Sequence, residues 1–501
     1  SIEKAIELKP DDAELWVGLG KTLMDLKRSA DALLSFQHAL RLNPRHRDAA
    51  CQSGILFYQS ERLPEALAAF ELCDRLQPNH AWTIYMRAGL LYELGRPEEA
   101  LPQCNRSAEC DPNFAPTLSL RAQCFHSLKR FEEALADNRR AHALDPTDAD
   151  VCNRIGDALQ LRAEYAEALA WFDRALALRE NFIEAMLNKA FTLRHLHRFR
   201  ESFAAYNDVK AIEPDNIIAD WNLANLHLLI GNFEIGWAQR EVRWKMPMFT
   251  GQYPKFSQPM WLGDEAIEGK TILVQCDQGF GDTIQFVRYM PMLAARGARV
   301  ILVVEDALHS LLSDMPGVSA CLRKSAATID KLPPFDMHCP MMRLPLAFGT
   351  RLDTIPAGTA YLPAPASDRV QVWQDRLQAR LGPHDRLRVG LVWSGNPGHK
   401  NDHNRSITLA AYEPFLDTGA AFISLQKEPR PDDRATLDRR PGIVDLTADL
   451  TDFAETAALI SCLDLVITVD TSVAHLAGAL GRPTWLLLPY TPDWRWLLDR
   501  D

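Results

Sequence analysis

The first half of the chain places apolar and polar residues with the period of amphipathic α-helices. Pairs of such segments, each pair closing near a proline, recur at intervals of about 34 residues. Sliding the sequence along itself by this interval places Gly20 on Gly54 and Phe36 on Phe70. The pattern predicts stacked antiparallel helix pairs, because small residues let two helices approach while large apolar residues fill the space between them.

An eight-position template describes the repeat. This template is typical of tetratricopeptide repeats (TPR), and we assign residues 1–245 to an all-α TPR superhelix with a partial first repeat, six full repeats and a degenerate seventh. Such a superhelix commonly binds a protein or peptide on its concave face, although some are spacers or oligomerisation surfaces. In the first full repeat the template positions are Trp16, Leu19, Gly20, Leu23, Ala32, Phe36, Ala39 and Pro44.

A junction rich in aromatic residues and proline, residues 246–269, follows the last repeat. Its prolines would end helices. We interpret the aromatic side chains as a cover for the open end of the superhelix, where it meets the next domain. The aromatic residues in and just before the junction are Trp237, Trp244, Phe249 and Trp261.

From Lys270 onward the pattern changes to short apolar runs separated by helical segments. The run 271–274 precedes a glycine-containing turn, a helical segment 283–295 and a second run 299–304, which predicts a βαβ unit. This arrangement is typical of an α/β fold with a parallel sheet.

The same pattern resumes after a proline-rich stretch, 332–365, which predicts a linker between lobes. We therefore expect two Rossmann-like lobes: an N-terminal, acceptor-side lobe at 270–365 and a C-terminal, donor-side lobe at 366–501. The expected strands of the second lobe cover 387–393, 421–425, 465–469 and 484–488.

The turn of Gly279, Phe280, Gly281 and Asp282 follows the first strand of the α/β half and opens a helix. Ligands of open parallel sheets bind outside the carboxyl ends of the strands, so this turn is a candidate site. Gly279 and Gly281 would let the backbone approach another element closely. Asp282 has two interpretations: a cap of the helix N-terminus, or a general base that deprotonates an acceptor group.

The second lobe offers anion-binding residues after three of its strands. Asp470, Thr471 and Ser472 precede a helix that contains His475, and a helix N-terminus presents free amides to a phosphate unless Thr471 merely caps it. A second loop carries basic residues, and arginine suits phosphate oxygens because its fork donates two hydrogen bonds. The residues of this loop and of the next strand end are Ser394, Gly395, Asn396, Lys400, His403, Arg405, Gln426 and Lys427.

The amino-acid composition argues against several classes of protein. The chain has 55 Lys and Arg against 66 Asp and Glu, a net charge of −11, which argues against binding nucleic acid through a general basic surface. Its apolar runs are too short for a transmembrane helix. The cysteines form no CxxC pair or metal-ligand spacing, and we expect them to be reduced in a cytoplasmic protein. The chain begins in the middle of a repeat, so we expect an earlier N-terminus.

Residues 270–501 resemble the ADP-heptose:lipopolysaccharide heptosyltransferase family and its TPR-fused bacterial relatives. GFGDTIQF resembles the start of that family, which implies Asp282 as catalytic base. VDTSVAHLAGALG resembles its D[ST]GxxHLAxAxG signature, with Ser472 where the family usually has glycine. The resemblance implies that Asp470, Thr471, Ser472 and His475 bind the nucleotide-sugar diphosphate and that Arg405, or else Lys427, is the basic residue near the phosphates.

The resemblance also implies a GT-B fold and metal-independent, inverting transfer, and the second lobe has no DxD motif that would suggest a metal site. GT-B folds generally end in a helix that returns to the first lobe, so we expect the chain to be truncated after Asp501. The nucleotide base and sugar stay open, and no other cofactor is expected.

The layout is similar to that of the protein O-GlcNAc transferases, whose repeat asparagines grip a peptide. Asn188 and Asn222 occupy equivalent positions here, but earlier repeats lack the asparagine. The layout favours a protein acceptor, chosen by the TPR superhelix. The chain is then expected to be a glycosyltransferase that uses a nucleotide-sugar donor. The alternative is a TPR adaptor with a degenerate, non-catalytic glycosyltransferase-like domain.

Overall fold

The computed structural model describes residues 2–249, 251, 253–325, 329, 331–356, 358, 360–383, 385–399 and 401–498. The chain separates into two compact units, Ser1–Pro214 and Asp215–Asp501. In the described ranges, no helix is both long and apolar enough to cross a bilayer.

The first unit is an all-helical TPR superhelix, as the sequence predicts. Consecutive helices pack as antiparallel pairs, because a short turn separates the two members of each pair. Its helices are Ile2–Leu8, Ala13–Asp25, Ser29–Leu42, Arg47–Gln59, Leu63–Leu76, Ala81–Glu93, Pro97–Cys110, Ala115–Ser127, Phe131–Leu144, Ala149–Leu161, Tyr165–Leu178, Ile183–His195 and Phe199–Ile212.

A glycine–phenylalanine contact holds the two helices of a repeat together. A Cβ atom on Gly20 would lie 2.6 Å from the Phe36 ring, and a Cβ atom on Gly156 would lie 2.6 Å from the Phe172 ring. Both phenylalanines are fully buried. The template positions are therefore packing positions, as their residue types predict.

The expectation of reduced cysteines is wrong for Cys51 and Cys73. These residues are joined in a disulfide that links helices Arg47–Gln59 and Leu63–Leu76, with Cα atoms 5.6 Å apart. Both lie at buried packing positions of one helix pair, where small side chains bring the two backbones within disulfide distance. The other described cysteines are free.

The second unit opens with helices Ile217–Leu229 and Phe233–Gln239 and a 3₁₀ turn, Arg240–Lys245. Trp237 of the second helix is buried against Phe286, with ring centroids 6.0 Å apart, and against Trp494, at 5.1 Å. Trp261 of the aromatic junction is fully buried, and its backbone amide donates to the His338 carbonyl. These aromatic residues are core residues of the second unit.

The first α/β lobe is a parallel sheet with strand order β3-β2-β1-β4. Its helical residues do not form one continuous helix over 283–295, because a 3₁₀ turn at Val287–Tyr289 separates the first helix from a second one that begins at Met290, with Pro291 in its first turn. The strands are β1 Thr271–Gln275, β2 Arg299–Val304, β3 Val318–Arg323 and β4 Met337–Pro340, and the helices are Phe280–Phe286, Met290–Ala295, Asp306–Leu312 and Leu344–Ala347.

The proline-rich stretch 332–365 is not entirely a linker. It contains β4, which pairs in parallel with β1 and ends at Pro340 opposite Gln275. Proline is tolerated there because β4 is an edge strand and Pro340 is its last residue. Two 3₁₀ turns, Met341–Arg343 and Leu352–Thr354, follow within the stretch.

The second lobe is a parallel sheet with strand order β7-β6-β5-β8-β9. Because β6, β5 and β8 are neighbours, the loops that follow these three strands emerge at one edge of the sheet. The strands are β5 Arg388–Val392, β6 Ala421–Ser424, β7 Ile443–Asp445, β8 Leu465–Val469 and β9 Thr484–Leu487. The helices are Ser367–Leu381, Asp402–Arg405, Glu413–Leu416, Pro431–Arg439, Phe453–Ser461 and Ser472–Ala479, with 3₁₀ turns at Leu409–Tyr412 and Thr447–Asp449.

Candidate functional site

The helix Ser472–Ala479 begins directly after β8 with its N-terminus uncapped by Thr471. Thr471 is the N-cap residue and has extended backbone angles, φ −142° and ψ 173°, but its side chain makes no capping hydrogen bond. Its hydroxyl lies 3.2 Å from the hydroxyl of Thr468 instead. The simple capping interpretation of Thr471 is therefore wrong, because its side chain does not bond the first-turn amides.

Asp282 lies in the first turn of the helix Phe280–Phe286, whose N-cap residue is Gly279. The interpretation of Asp282 as the cap is wrong, because Gly279 is the N-cap residue and no side chain makes a capping hydrogen bond there. Its Oδ1 atom accepts a hydrogen bond from Nη2 of Arg495, and the two groups form an ion pair. The Asp282 side chain keeps 18% of its surface exposed, so a small group can still reach it.

The Asp282 turn packs onto the start of the helix Ser472–Ala479 at Gly281. A Cβ atom on Gly281 would lie 2.7 Å from Cδ2 of His475 and 3.5 Å from Cα of Ser472, so only glycine allows this approach. Gly279 behaves differently from the expectation, because a Cβ atom there would meet only Asp282 Oδ2, at an ordinary 3.7 Å. One glycine of the turn is therefore required for the approach of the two lobes.

The C-terminal segment Asp493–Trp496 completes this region, although the sequence analysis assigned it no role. Arg495 Nη1 donates to Oδ1 of Asp493 at 2.7 Å, and the guanidinium lies over the Trp494 ring at 4.3 Å from its centroid. The Trp496 indole stacks on the His475 imidazole. The alternation of charged and indole side chains just after the last strand is the one local signal that could have indicated a site.

Burial and charge set the protonation of the groups around Arg495. Burial, followed by the positive charge of Arg495, lowers the pKa of His475 to about 4, so this imidazole is neutral at neutral pH. Burial, followed by the negative charge of Asp493, raises the pKa of Asp470. Burial also disfavours the Asp493 carboxylate, but the guanidinium and backbone amide of Arg495, together with the charge of Arg240, lower the pKa of Asp493.

Arg405 connects the loops that follow β5 and β8. Its Nη1 atom donates to the backbone carbonyl of Asp470 at 3.2 Å. A Cβ atom on Gly395 would lie 2.7 Å from Arg405 Nη2, so the guanidinium packs directly against the glycine backbone. Asp402, itself buried, lies 3.8 Å from Arg405 Nε and also pairs with Arg430. Gly395, Arg405 and the Asp470 turn therefore form one cluster.

The loop after β5 is held by Gln426, which follows β6. Gln426 Oε1 accepts hydrogen bonds from the amides of Trp393 and Ser394, at 3.3 and 3.0 Å, so this side chain supports the loop from inside. The hydroxyl of Ser394 is buried and has no hydrogen-bond partner among the described residues. Gln426 and Ser394 thus lie at the strand ends, as predicted.

The remaining residues proposed for this edge lie at the surface. Asn396 is exposed, and its Oδ1 atom accepts from the amide of Gly398 at 2.8 Å within its own loop. Lys427 and His403 are also exposed, and Lys400 lies outside the described residues. Asn396 and Lys427 are therefore more exposed than Arg405, which is part of the buried cluster.

The two asparagines proposed for peptide binding lie in different units. Asn188 Nδ2 donates to Asn153 Oδ1 at 3.1 Å, while its backbone carbonyl accepts from Gln160 Nε2 at 3.0 Å. Asn222 lies half-buried on the helix Ile217–Leu229 of the second unit. The side chain of Asn188 is thus partly engaged within its own repeat array.

Known proteins are similar to this chain in both halves. The glycosyltransferase family 9 (heptosyltransferase) model matches residues 435–496, and the tetratricopeptide repeat model matches residues 17–81 and 85–149. The family 9 match includes both the Asp470 turn and Arg495. The chain is also similar to Protein FlbA of Caulobacter vibrioides, with 27% identity over 347 residues. That match covers 63% of this chain and 56% of FlbA, little more than half its length.

Solved structures are similar over the helical repeats. YrrB, described as a TPR protein with an unusual peptide-binding site, has 24% identity and a TM-score of 0.34, covering 37% of this chain and 95% of YrrB. PilF of Pseudomonas aeruginosa has 16% identity and a TM-score of 0.39, covering 42% of this chain and 96% of PilF. The chain is thus similar to tetratricopeptide repeat proteins within residues 17–149 and to glycosyltransferase family 9 at residues 435–496.

Proposed function

We propose that this chain is a glycosyltransferase that moves a sugar from a nucleotide-diphosphate donor to a protein acceptor. The observation that carries this proposal is the contact at Gly281, where the turn bearing Asp282 lies against the open N-terminus of the helix Ser472–Ala479. A carboxylate and an anion-binding helix end, one from each lobe, are therefore neighbours. A transferase needs this pairing, because the acceptor must lose a proton where the donor loses its diphosphate.

The donor diphosphate would bind at the end of β8. The first-turn amides and the Thr471 and Ser472 hydroxyls donate hydrogen bonds, and the helix dipole favours negative charge. Arg405 adds a permanent positive charge at the adjacent loop, and its contact with the Asp470 carbonyl fixes the guanidinium there. These groups favour the leaving diphosphate more as its charge grows, so they lower the barrier to transfer.

The reaction is a single displacement. Asp282 accepts the proton of the acceptor hydroxyl, the hydroxyl oxygen forms a bond to the anomeric carbon, and the bond from that carbon to the diphosphate oxygen breaks. Attack from the side opposite the leaving group inverts the anomeric configuration. The cationic side chains and amides of the protein would balance the charge of the diphosphate without a metal ion.

The TPR superhelix would select the acceptor. A repeat array presents a long surface that fits an extended segment of a protein better than it fits a small molecule. For this reason we assign the acceptor to a protein or peptide, with the polar cluster around Asn188 and Asn153 as one of its contacts.

Calorimetric and thermal-shift measurements test the donor site. The panel is UDP, GDP, ADP, CDP and TDP with their common sugars, applied to the wild type and to Thr471→Ala and Arg405→Ala. A nucleotide at about 100 times its dissociation constant should stabilise the wild type by roughly 2.7 kcal/mol, and both variants should lose most of this gain. Arg434→Gln, which breaks an ion pair with Asp445 on the edge strand β7, is the matched control.

Asp282→Asn separates catalysis from binding. This variant should keep donor binding and lose transfer, by about 10²–10⁴-fold, because the amide cannot accept the proton. A protein that binds none of the five nucleotides would refute the proposal and favour the TPR adaptor with a non-catalytic domain.

A further inference from the structure

The side chain of Arg495 occupies the position between the proposed base and a second carboxylate. Its Nη2 atom donates to Asp282, and its Nη1 atom donates to Asp493 at 2.7 Å. Only 13% of the Arg495 side chain is exposed. In this structure the Asp282 carboxylate is therefore neutralised by a buried guanidinium.

The hydrogen bond from Arg495 Nη2 occupies Oδ1 of Asp282, the oxygen to which an acceptor hydroxyl would donate. Asp282 must lose this contact before it can deprotonate an acceptor. The Asp493 contact can persist at the same time, because it uses the other terminal nitrogen of the guanidinium. Arg495 can therefore leave Asp282 while Asp493 still neutralises part of its charge.

The neighbouring residue places Arg495 at the donor end of the site. Trp496 stacks on His475, and His475 belongs to the helix whose N-terminus is open to an anion. The guanidinium is thus held next to that helix end by the residue that follows it in sequence. A diphosphate offers the paired oxygens that the arginine fork binds with two hydrogen bonds.

We propose that Arg495 exchanges partners when the donor binds: it pairs with Asp282 in the empty site and moves onto the phosphate oxygens of a nucleoside diphosphate. This exchange leaves Asp282 free to accept the proton of the acceptor. Donor binding must then precede activation of the base. The inference rests on the proposed function and adds Arg495 to its diphosphate contacts.

The exchange should change the affinity for nucleoside diphosphates in variants of the two residues. Part of the donor's binding free energy is used to separate Arg495 from Asp282. Removing the charge of Asp282 should therefore tighten nucleoside diphosphate binding, whereas removing Arg495 should weaken it. If the ion pair were purely structural, breaking it from either side would loosen the site, so removing the charge of Asp282 would weaken binding instead of tightening it.

Isothermal titration calorimetry with a nucleoside diphosphate tests these changes in affinity. The probe is whichever of UDP, GDP, ADP, CDP and TDP binds the wild type. We expect Asp282→Asn to bind it about tenfold more tightly and Arg495→Gln about tenfold more weakly, the size of a modest charge-pair contribution. In the double variant the asparagine should give no tightening over Arg495→Gln alone, since the residue that Asp282 holds is absent.

Two further variants keep the test informative. Arg495→Lys preserves the charge and should bind with intermediate affinity, even if Arg495→Gln does not fold. Arg434→Gln and Asp445→Asn break a comparable ion pair at β7 and should leave affinity unchanged. If the wild type binds a nucleotide but Asp282→Asn binds it no more tightly, the exchange is refuted and the donor site stands. If no nucleotide binds the wild type, the proposed function and the exchange both fail.

Discussion

The imidazole of His475 stacks on the indole of Trp496, with ring centroids 4.8 Å apart and ring planes inclined by 17°. The stack joins the helix after β8 to the C-terminal segment that carries Arg495. It also places His475 beside a permanent positive charge, which together with burial keeps the imidazole neutral. The protonation of this residue should therefore be visible in the stability of the protein.

The free energy of unfolding should fall as the pH is lowered below the pKa that His475 has in the unfolded chain. In that pH range the unfolded chain binds a proton at His475 and the folded protein does not. The pKa of this residue is 6.5 in the unfolded chain and about 4 in the folded protein. The unfolded state therefore takes up the proton first, and the loss should be complete near pH 4. Between pH 7.5 and 5 the wild type should lose ~2 kcal/mol more than His475→Gln. Urea unfolding of both proteins at the two pH values measures the difference, and equal losses would contradict the assignment.

Gly281→Ala should disturb the contact between the lobes. Its Cβ atom would overlap His475 Cδ2 at 2.7 Å, and overpacking of this kind destabilises by roughly 1–3 kcal/mol. We expect a lower melting temperature and weaker nucleotide binding. Gly279→Ala is the matched control in the same turn, because its Cβ atom has ordinary space and the residue has a φ of −71°. Equal effects of the two substitutions would show that the contact at Gly281 is not limiting.

Arg405 and Lys427 should differ in their effect on donor binding, although both were candidates for the basic residue near the phosphates. Arg405 is held between Gly395 and the Asp470 carbonyl, whereas Lys427 is exposed. We expect Arg405→Ala to weaken nucleotide binding at least tenfold and Lys427→Ala to change it less than about threefold, since an exposed charge is screened by solvent. Titration of both variants under one salt condition measures this. A larger loss for Lys427→Ala would reverse the assignment.

Gly156→Ala should destabilise the TPR array, because its Cβ atom would lie 2.6 Å from the Phe172 ring. Gly89→Ala is the control within another helix of the same array. Its Cβ atom would meet only Leu120 Cδ2, at 3.9 Å, and alanine favours a helix by up to ~1 kcal/mol over glycine. Thermal unfolding followed by circular dichroism should show opposite shifts for the two variants. Shifts of the same sign would contradict the packing role of Gly156.

Local patterns predicted most of the fold. The TPR helices follow from apolar positions a few residues apart, and β1, β2, β5, β6 and β8 follow from continuous apolar runs that are buried on both faces. Three strands were not predicted in this way, and one of them, β7 Ile443–Asp445, is only three residues long. The edge strand Val318–Arg323 is only partly buried and has polar residues within it, and Met337–Pro340 lies among prolines.

The sequence predicted which residues of the candidate site lie near strand ends. It did not predict the directions or the contacts of their side chains. Asp282, Thr471 and Arg405 lie in the segments that follow β1, β8 and β5, so topology places these segments at the sheet edges. The direction of a side chain does not follow from that position, which is why Gln426 turns inward to the backbone and Lys427 lies at the surface. Arg495 pairs with a residue 213 positions earlier, and no local pattern encodes such a pair.

Asp282 precedes Arg495 by 213 positions, so it is synthesised well before its ion-pair partner. A ribosome that has completed β1 and the glycine turn must still add more than two hundred residues before the guanidinium partner of Asp282 exists. Until then the carboxylate has no counter-charge from the C-terminal segment. The same holds after proteolytic removal of that segment, which would leave both sheets intact and the aspartate unpaired. The segment Asp493–Trp496 thus determines when the proposed base is ion-paired.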